Sequence, residues 1–417
     1  MSFITEKIVS EGIDFDRVSI LPAYSKIRYE DVDISARFSR RYTLLRPFVL
    51  EVNNFQNIQL VKFTARHGGV GVLGSNLDLK TRVDCIKALK RDKGKYSSYF
   101  FCVCEDTEMS HVTRLYEKMQ GARTIVLDDD DKFKYFVDGL ASLPSEYKNC
   151  KVVDLPSKYK IEGCVINANS KLEQFKTSIE KHKYALVIDP DTKEIVGSSS
   201  ASVIEEYEKY PLSSRVEDQS LIIASKVAPS DNIAEEIRAL NEVGVNAVII
   251  EYEHPHSKWV LEELKHLKLD FPDLEVLVEN VSTSAGATDI LLTGVDGIVV
   301  GNKVKEVNNK IGVGVPLPSA IYGVFKAVKH SDISLLLSGG LKNEGNVVKS
   351  LATGVDALWL NSVVDNADKC DEEFLLKEME KLSTSIRKGV CYSGSDNLKS
   401  FKQNKFILNT GVSPLRT

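Results

Sequence analysis

The sequence predicts an α/β protein built on a (β/α)8 TIM barrel that is interrupted by a smaller inserted domain. From about Ser220 onward, short β-branched runs alternate with amphipathic helical stretches, which is typical of βα units and a parallel sheet. Further units before about Asp92 bring the total to about eight strands. The chain of 417 residues also exceeds what one hydrophobic core usually serves, which favours two domains.

The barrel elements follow one another in a regular order. Residues 44–52 predict a strand that leads through a helix to a glycine-rich strand at 67–76. Later strands are predicted at 220–227, 247–253, 274–280, 297–301, 334–340 and 357–362. The segments between them, among them 232–245, 258–272 and 343–355, have apolar residues at helical spacing and end in Gly or Pro. A closed barrel places its functional site at the carboxyl ends of the strands.

The middle of the chain predicts a separate domain with an internal duplication. Residues 124–137 and 184–197 look like two versions of one hairpin, about 60 residues apart. We therefore expect a barrel domain at residues 1–94 and 219–417 and an insert at residues 95–218.

The composition excludes several classes of protein. Apolar residues make up 43% and charged residues 27%, and the net charge is -5. This balance does not favour nucleic acid or an anionic membrane surface as a partner. The sequence contains no apolar run of about 18 residues, and its first residues carry acids where a signal peptide needs a basic and then an apolar stretch. We therefore expect a cytoplasmic protein.

The cysteines do not form a recognisable metal or disulfide pattern. They are scattered over the chain at Cys85, Cys102, Cys104, Cys150, Cys164, Cys370 and Cys391. We interpret them as reduced thiols and predict no metal site. His254 and His256, beside Glu251 and Glu253, are interpreted as a loop-edge cluster rather than as ligands.

The barrel segments resemble one family, the IMP dehydrogenases and GMP reductases, over nearly the whole chain. DFDRVSILPAYS resembles the family's opening segment, and GVGVPLPSAIYGV resembles its helix entry. The stretch from Ala247 to Gly301 matches almost without gaps, and LLLSGGLKNEGNVVKSLATGVDALWLNS resembles the family's phosphate-binding strands. The insert is similar to a pair of cystathionine-β-synthase (CBS) motifs, also called a Bateman domain. The resemblance implies purine nucleotide metabolism, with NAD and K⁺ as cofactors where the family's activity is retained.

The resemblance also implies a catalytic cysteine that this chain lacks. In the family, a thiolate in the loop after the strand at 297–301 adds to the purine. Here that loop is GNKVKEVNNK, with Lys305 near the cysteine's place, and no cysteine occurs between Cys164 and Cys370. Asn361 and Ser362 lead through a short segment into a helix, which leaves no room for the family's arginine-bearing flap. We therefore predict no catalytic residues.

The nucleotide-binding positions implied by the resemblance are altered. The Asp-Gly-Gly turn that binds ribose is Ser338-Gly339-Gly340, and the Gly-Ser phosphate turn is Asn361-Ser362. A carboxylate has two acceptor oxygens and can bind both hydroxyls of a ribose diol, whereas a serine has a single hydroxyl. At the Ser-Pro-Met-Asp turn of the family, this chain has Glu51, an acid that would repel phosphate.

The cofactor positions are degenerate as well. Glu251 matches the family's nicotinamide-ribose aspartate, and Asn280 matches a family asparagine. In the insert, Gly197 and Ser200 match part of the CBS nucleotide motif, while Val203 replaces its acid. We expect no bound cofactor and interpret the insert as a packing module, with nucleotide sensing as the alternative.

Three hypotheses follow from the sequence. The first is a catalytically inactive homologue that acts as a structural or regulatory subunit, as a homo-tetramer or in a hetero-oligomer with a true IMP dehydrogenase. The second is a divergent active IMP dehydrogenase that uses another nucleophile, Cys370 or Cys391. The third is a sensor that binds a purine nucleotide.

Overall fold

The computed structural model describes residues 12–119, 121–301, 311–362 and 371–409. The chain divides into two compact units. The first comprises Met1–Lys87, Leu212–Val216 and Leu221–Thr417, and the second comprises Ala88–Pro211 and Glu217–Ser220.

The first unit starts with short strands and two helices. Its strands are β1 (Val18–Ile20), β2 (Ala36–Arg37), β3 (Thr43–Leu44), β4 (Phe48–Val52) and β5 (Val70–Leu73). The helices are α1 (Gln59–Arg66) and α2 (Leu79–Lys90), and 3₁₀ turns occur at Phe15–Arg17, Tyr29–Asp31 and Phe55–Asn57.

The second unit contains seven strands and three helices among its described residues. In chain order they are β6 (Phe100–Cys104), α3 (Met109–Lys118), β7 (Arg123–Leu127), β8 (Phe133–Val137), β9 (Lys160–Ile161), β10 (Cys164–Asn167), α4 (Leu172–His182), β11 (Tyr184–Ile188), β12 (Ile195–Ser200) and α5 (Ala201–Lys209). Four 3₁₀ turns lie between β8 and β9, at Leu140–Ser142, Ser145–Tyr147, Val152–Asp154 and Ser157–Tyr159.

The rest of the first unit alternates strands and helices. The elements are β13 (Ile223–Val227), α6 (Ile233–Glu242), β14 (Ala247–Ile250), α7 (Lys258–Asp270), β15 (Glu275–Glu279), α8 (Ser284–Leu291), β16 (Gly297–Val300), α9 (Leu317–Val328), β17 (Ser334–Leu337), α10 (Glu344–Thr353), β18 (Ala357–Trp359), α11 (Glu372–Tyr392), α12 (Leu398–Phe401) and β19 (Phe406–Leu408), with a 3₁₀ turn at Leu360–Ser362.

Eight parallel strands close into a barrel, which confirms the predicted fold class. The strand order around the barrel is β13, β14, β15, β16, β17, β18, β4 and β5, and β5 pairs with β13 to complete the ring. The strands before and after the second unit meet where Leu358 of β18 pairs with Phe48 of β4. The interior is filled by apolar side chains from alternate strand positions, such as Val72, Ala224 and Ile249.

A hairpin formed by β2 and β3 covers the amino-terminal end of this barrel. Its Phe38 and Leu44 are fully buried in the same core cluster as the interior side chains. The Ser334 hydroxyl, at the start of β17, donates a hydrogen bond of 2.7 Å to the Phe38 carbonyl. The amino-terminal end is therefore sealed by packing, which leaves the opposite rim for chemistry.

The second unit repeats one order of elements. A strand, a helix and an antiparallel hairpin occur as β6, α3, β7 and β8, and again as β10, α4, β11 and β12. In both copies the first strand pairs in parallel with the second. The two hairpins predicted from the sequence are thus present, each within its own sheet.

No helix within the described ranges has the length and apolar character that crossing a membrane requires.

Candidate functional site at the barrel mouth

Polar side chains ring the carboxyl ends of the barrel strands, a rim that we call the barrel mouth. In a strand, every second residue points to the same face, so the residue two positions after an interior side chain also points inward. Ala224 and Ile249 are buried in the barrel core, and this register places Lys226 and Glu251 one layer above them. By the same argument Glu279 lies above Leu277, which is also in the core.

One lysine holds three carboxylates at this rim. Lys226 Nζ lies 2.8 Å from Glu279 Oε2, 3.0 Å from Glu51 Oε2 and 3.3 Å from Glu251 Oε2. The Lys226 and Glu279 side chains are only 6% and 4% exposed, and those of Glu51 and Glu251 are 12% and 23% exposed. We call these four residues the mouth cluster. They come from β4, β13 and β15 and from the residue that follows β14.

The mouth cluster shifts the pKa values of its members. Burial alone would lower the pKa of Lys226, but the negative charges of Glu279, Glu51 and Glu251 outweigh burial and raise it. These contacts therefore favour the charged form of Lys226, which is neither a base nor a nucleophile. Burial raises the pKa of Glu279, against the opposing effect of the Lys226 ammonium.

Glu51 is also fixed by neutral donors. Trp359 Nε1 donates to Glu51 Oε2 at 3.2 Å, and Asn53 Nδ2 donates to Glu51 Oε1 at 2.9 Å. The Asn361 side chain bonds the Glu51 backbone in both directions, accepting from its N–H at 2.9 Å and donating to its carbonyl at 2.8 Å. Both carboxylate oxygens of Glu51 are therefore engaged by the protein itself.

The predicted ribose turn is occupied by internal contacts. Ser338 hydrogen-bonds the Glu279 carboxylate, which lowers the pKa of that acid in part, and its backbone N–H donates to the Val300 carbonyl at 2.9 Å. Gly339 and Gly340 have φ values of 84° and 76°, a left-handed conformation that glycine adopts without strain. The turn thus keeps its backbone shape, while its one side chain is directed to the mouth cluster.

The predicted cofactor residues are engaged within the chain too. Glu251 is paired with Lys226 at 3.3 Å. Asn280 is 7% exposed, has a φ of 69° and donates from Nδ2 to the Tyr252 carbonyl at 2.7 Å. A Cβ on Gly301 would lie 2.0 Å from Asn280 Oδ1, so only glycine fits beside that amide.

Of the remaining predicted positions, some lie in the second unit and some outside the described residues. Gly197 and Ser200 belong to β12, where a Cβ on Gly197 would lie 2.5 Å from the Ser97 carbonyl oxygen. The Ser200 hydroxyl lies 3.0 Å from that of Ser202. Ser362 ends the 3₁₀ turn after β18. Lys305, near the family cysteine's place, lies outside the described residues.

None of the described thiols belongs to a strand of the barrel. Cys391 lies on α11, where its Sγ contacts the Ser25 hydroxyl at 3.2 Å and the Ile27 carbonyl at 3.4 Å. Cys85 lies on α2, and burial raises its pKa to about 11, which disfavours the reactive thiolate. The other described cysteines, Cys102, Cys104, Cys150 and Cys164, belong to the second unit. Cys370 is outside the described residues.

The histidine cluster near the rim has a structural partner. His256 Nε2 lies 2.8 Å from the Asp289 carboxylate, which joins the loop after β14 to α8. Within the described residues, no group of three or more His, Cys, Asp or Glu side chains is arranged to hold a metal ion.

A comparison with models of protein families identifies the family of this chain. The model described as the IMP dehydrogenase / GMP reductase domain matches residues 12–379, most of the chain. The chain belongs to this family. Family members act in purine nucleotide metabolism, which the resemblance of the strand-end motifs had implied.

Relatives in the family include bacterial IMP dehydrogenases. The enzyme of Aquifex aeolicus is 26% identical over 378 residues, which span 88% of this chain and 76% of that protein. The enzyme of Staphylococcus aureus is 25% identical over 370 residues, spanning 87% of this chain and 75% of its own. Among solved structures, GMP reductase from Trypanosoma brucei in complex with guanosine 5'-triphosphate aligns with a TM-score of 0.80, covering 98% of this chain and 100% of that one. Its sequence identity is 17%, so this likeness shows the shared fold.

Sequence reasoning missed three residues of this family member's barrel mouth. Lys226, Glu279 and Trp359 each lie in an otherwise apolar strand, and the family resemblance implies no role for them. The alternation of side chains along a strand could have identified Lys226. It lies two positions after the core residue Ala224 and must therefore point into the barrel. Because an inward ammonium needs carboxylates, Glu51, Glu251 and Glu279 were the available partners.

Proposed function

We propose that this chain is a catalytically inactive member of the IMP dehydrogenase / GMP reductase family that acts as a structural or regulatory subunit. The observation that carries the proposal is the mouth cluster. Lys226 and its three carboxylates occupy the rim where substrate would have to bind, and they form ion pairs with one another there. Groups that are already paired with each other cannot serve a substrate without first breaking those contacts.

The chemistry of the family's reaction supports the proposal. A covalent step at the purine needs a thiolate, and the sequence from Gly301 to Lys310 contains no cysteine. The described cysteines lie on α2, on α11 or in the second unit, and none of them belongs to a barrel strand. Neither asparagine nor lysine replaces a thiolate in such a step.

The charge at the mouth argues against a bound nucleotide. Three carboxylates face one ammonium, so the mouth cluster is negative when its acids are ionised. A phosphate brought to this rim would be repelled over the short distances of a buried site. Glu251 and Asn280 are also committed to Lys226 and Tyr252, so these residues do not fit NAD as a resident cofactor.

We further propose that the second unit is a CBS pair that serves mainly in assembly. The repeated strand, helix and hairpin order is the support for this assignment. The proposed assemblies are a homo-tetramer or a hetero-oligomer with an active IMP dehydrogenase. Light scattering on the purified chain and co-purification with a tagged active enzyme would separate the two.

Enzyme assays test the proposal directly. The full-length chain, given IMP and NAD with K⁺, should form no NADH, while the Aquifex aeolicus enzyme assayed in parallel provides the positive control. The chain should likewise show no reductase activity with GMP and a reduced nicotinamide cofactor. Turnover that a cysteine-directed inhibitor abolishes would overturn the proposal.

The two alternatives have their own readouts. A divergent enzyme would be labelled by a halopurine nucleotide on Cys370 or Cys391, detected by peptide mass spectrometry. A purine-nucleotide sensor would be stabilised by its ligand, by roughly 2.7 kcal/mol at 100 times the dissociation constant. Our proposal expects no labelling of these cysteines and no IMP or GMP bound at the barrel mouth.

A further inference from the structure

A cavity of about 370 Å³ lies in the first unit at the amino-terminal end of the barrel, away from the barrel mouth. Its walls come from the β2 hairpin strand, the end of α9, the residues around the start of β17 and the segment of α12. This volume lies in the lower part of the range of about 300–1,000 Å³ found for small-molecule sites.

The rim of this cavity is basic. Arg37, Lys329, Lys399 and Lys402 line it, and the one acid in the lining is Asp356. Asp356 is already neutralised, because Lys402 bonds its Oδ1 and the Leu335 backbone N–H donates to its Oδ2 at 2.9 Å.

Within the described residues, the other three cations at the rim have no acidic partner. Arg37 donates only to a neutral group, the Asp332 backbone carbonyl, at 2.7 Å. Lys329 and Lys399 form no ion pair with any residue in the part of the chain that the structure describes. An excess of positive charge in a chain of net charge -5 therefore converges on one concavity.

The floor of the cavity is apolar and rigid. Leu335 and Leu398 are buried, at 1% and 4% exposure, and Phe325 lies beside them in the lining. The Phe325 ring packs directly on the backbone of Gly354, because a Cβ there would lie 2.4 Å from Phe325 Cγ. Gly354 has a φ of 135°, which also favours glycine. The ring is thus held in place at the base of the basic rim.

We propose that this cavity binds a small organic anion that carries two or more negative charges and a flat or apolar part, the chemical class of the nucleoside diphosphates. Arginine and lysine at the rim suit phosphate oxygens, and an aromatic side chain on the floor suits a flat ring. The site is independent of the barrel mouth, so it stands whether or not the mouth is catalytic.

Isothermal titration of the full chain with ADP, inorganic pyrophosphate and adenosine tests the proposal. We expect ADP to bind, pyrophosphate to bind more weakly and adenosine not to bind, and we expect added KCl to weaken the ADP interaction. Absence of ADP binding would overturn the proposal. Adenosine binding as tightly as ADP would show that charge is not recognised and would also overturn it, and equal affinity for pyrophosphate and ADP would refute the apolar subsite.

A charge-matched pair of variants locates the site. The Lys329→Gln/Lys399→Gln double variant should bind ADP about tenfold more weakly or worse, because both cations face the cavity. The Lys326→Gln/Lys405→Gln variant changes the net charge equally at exposed residues outside the lining and should bind as the wild type does. Equal affinity of the two variants would place the ADP elsewhere and overturn the assignment.

Discussion

Lys226 Nζ lies 2.8 Å from Glu279 Oε2, although the two residues belong to strands that are separated by β14. The intervening strand contributes Glu251 to the same ammonium, and Glu51 contributes from β4, on the other side of β5. The Lys226 side chain therefore contacts residues at the ends of β4, β14 and β15, whereas backbone hydrogen bonds connect each strand only to its two neighbours. The catalytic residues of TIM-barrel enzymes lie at this same rim.

Removing the central cation should destabilise the barrel strongly. In Lys226→Met, the carboxylates lose their counterion while they stay buried, at an expected cost of about 3–5 kcal/mol in the free energy of unfolding. Urea denaturation monitored by tryptophan fluorescence measures the change, since Trp359 is 2% exposed and bonded to Glu51. Lys258→Met, at a side chain that is 89% exposed, is the control and should change little. An unchanged urea midpoint for Lys226→Met would show that the mouth cluster does not stabilise the fold.

The loss of unfolding free energy caused by Lys226→Met should be smaller when the Glu279 carboxylate is removed as well. In the Lys226→Met/Glu279→Gln double variant, one of the stranded charges is gone, so the loss should be smaller than the sum of the two single losses. A double-mutant cycle of unfolding free energies gives this coupling. Additive single effects would mean that the two groups do not interact.

The stability of Glu279→Gln relative to the wild type should rise with pH. Burial raises the pKa of Glu279 above its value of about 4.3 in the unfolded chain, so the folded state favours the neutral acid. The stability that neutral Glu279 provides is present at low pH and is lost as pH rises through its folded pKa. The variant cannot ionise and escapes that loss. Urea midpoints near pH 5 and near pH 8 test this, and a difference that falls with pH would show that the folded pKa is lowered instead.

The stability contributed by Asp138 of the second unit should depend on pH in the direction opposite to that of Glu279. Burial alone would raise its pKa, but hydrogen bonds from Lys183 at 2.8 Å and Tyr184 at 2.7 Å, with the Gly139 N–H, lower it to about 2. Since the unfolded value is about 3.9, its contribution is complete above about pH 5 and is lost as pH falls toward 2. Asp138→Asn should therefore lower the melting temperature near pH 6 and progressively less near pH 3. Asp130→Asn, at a side chain that is 79% exposed, should be neutral at both pH values.

Two glycines in the barrel domain should respond oppositely to alanine. A Cβ on Gly71 of β5 would lie 2.4 Å from the Val61 carbonyl oxygen of α1, so Gly71→Ala should cost about 1–3 kcal/mol by forcing the helix away. At Gly323 of α9 the nearest atom would be 3.8 Å away, so Gly323→Ala should stabilise by about 0.5–1 kcal/mol. Denaturant midpoints of the two variants measure both effects. Similar behaviour of the two would contradict the close helix-to-strand contact.

The sequence predicted the architecture more fully than the site. Strands such as Ala247–Ile250 and Gly297–Val300 were recognisable because buried parallel strands are almost continuously β-branched or apolar. The mouth cluster could not be predicted from local patterns because its members, at positions 51, 226, 251 and 279, are far apart in the chain. Which carboxylates reach one ammonium depends on the closure of the barrel, a three-dimensional property that local patterns do not contain. The sealing of the amino-terminal end by Phe38 and Leu44 was not predicted for the same reason.

The barrel has a consequence for how the chain folds, because β4 and β5 are synthesised before the second unit and β13 to β18 after it. The ring cannot close on the ribosome until β18 has emerged and paired with β4 at Leu358 and Phe48. Contacts between residues so far apart in the sequence are slow to form. The apolar side chains of β4 and β5 therefore stay exposed to solvent until the later strands are synthesised. Nascent chains stalled before Ala357 should therefore be the species most dependent on chaperones.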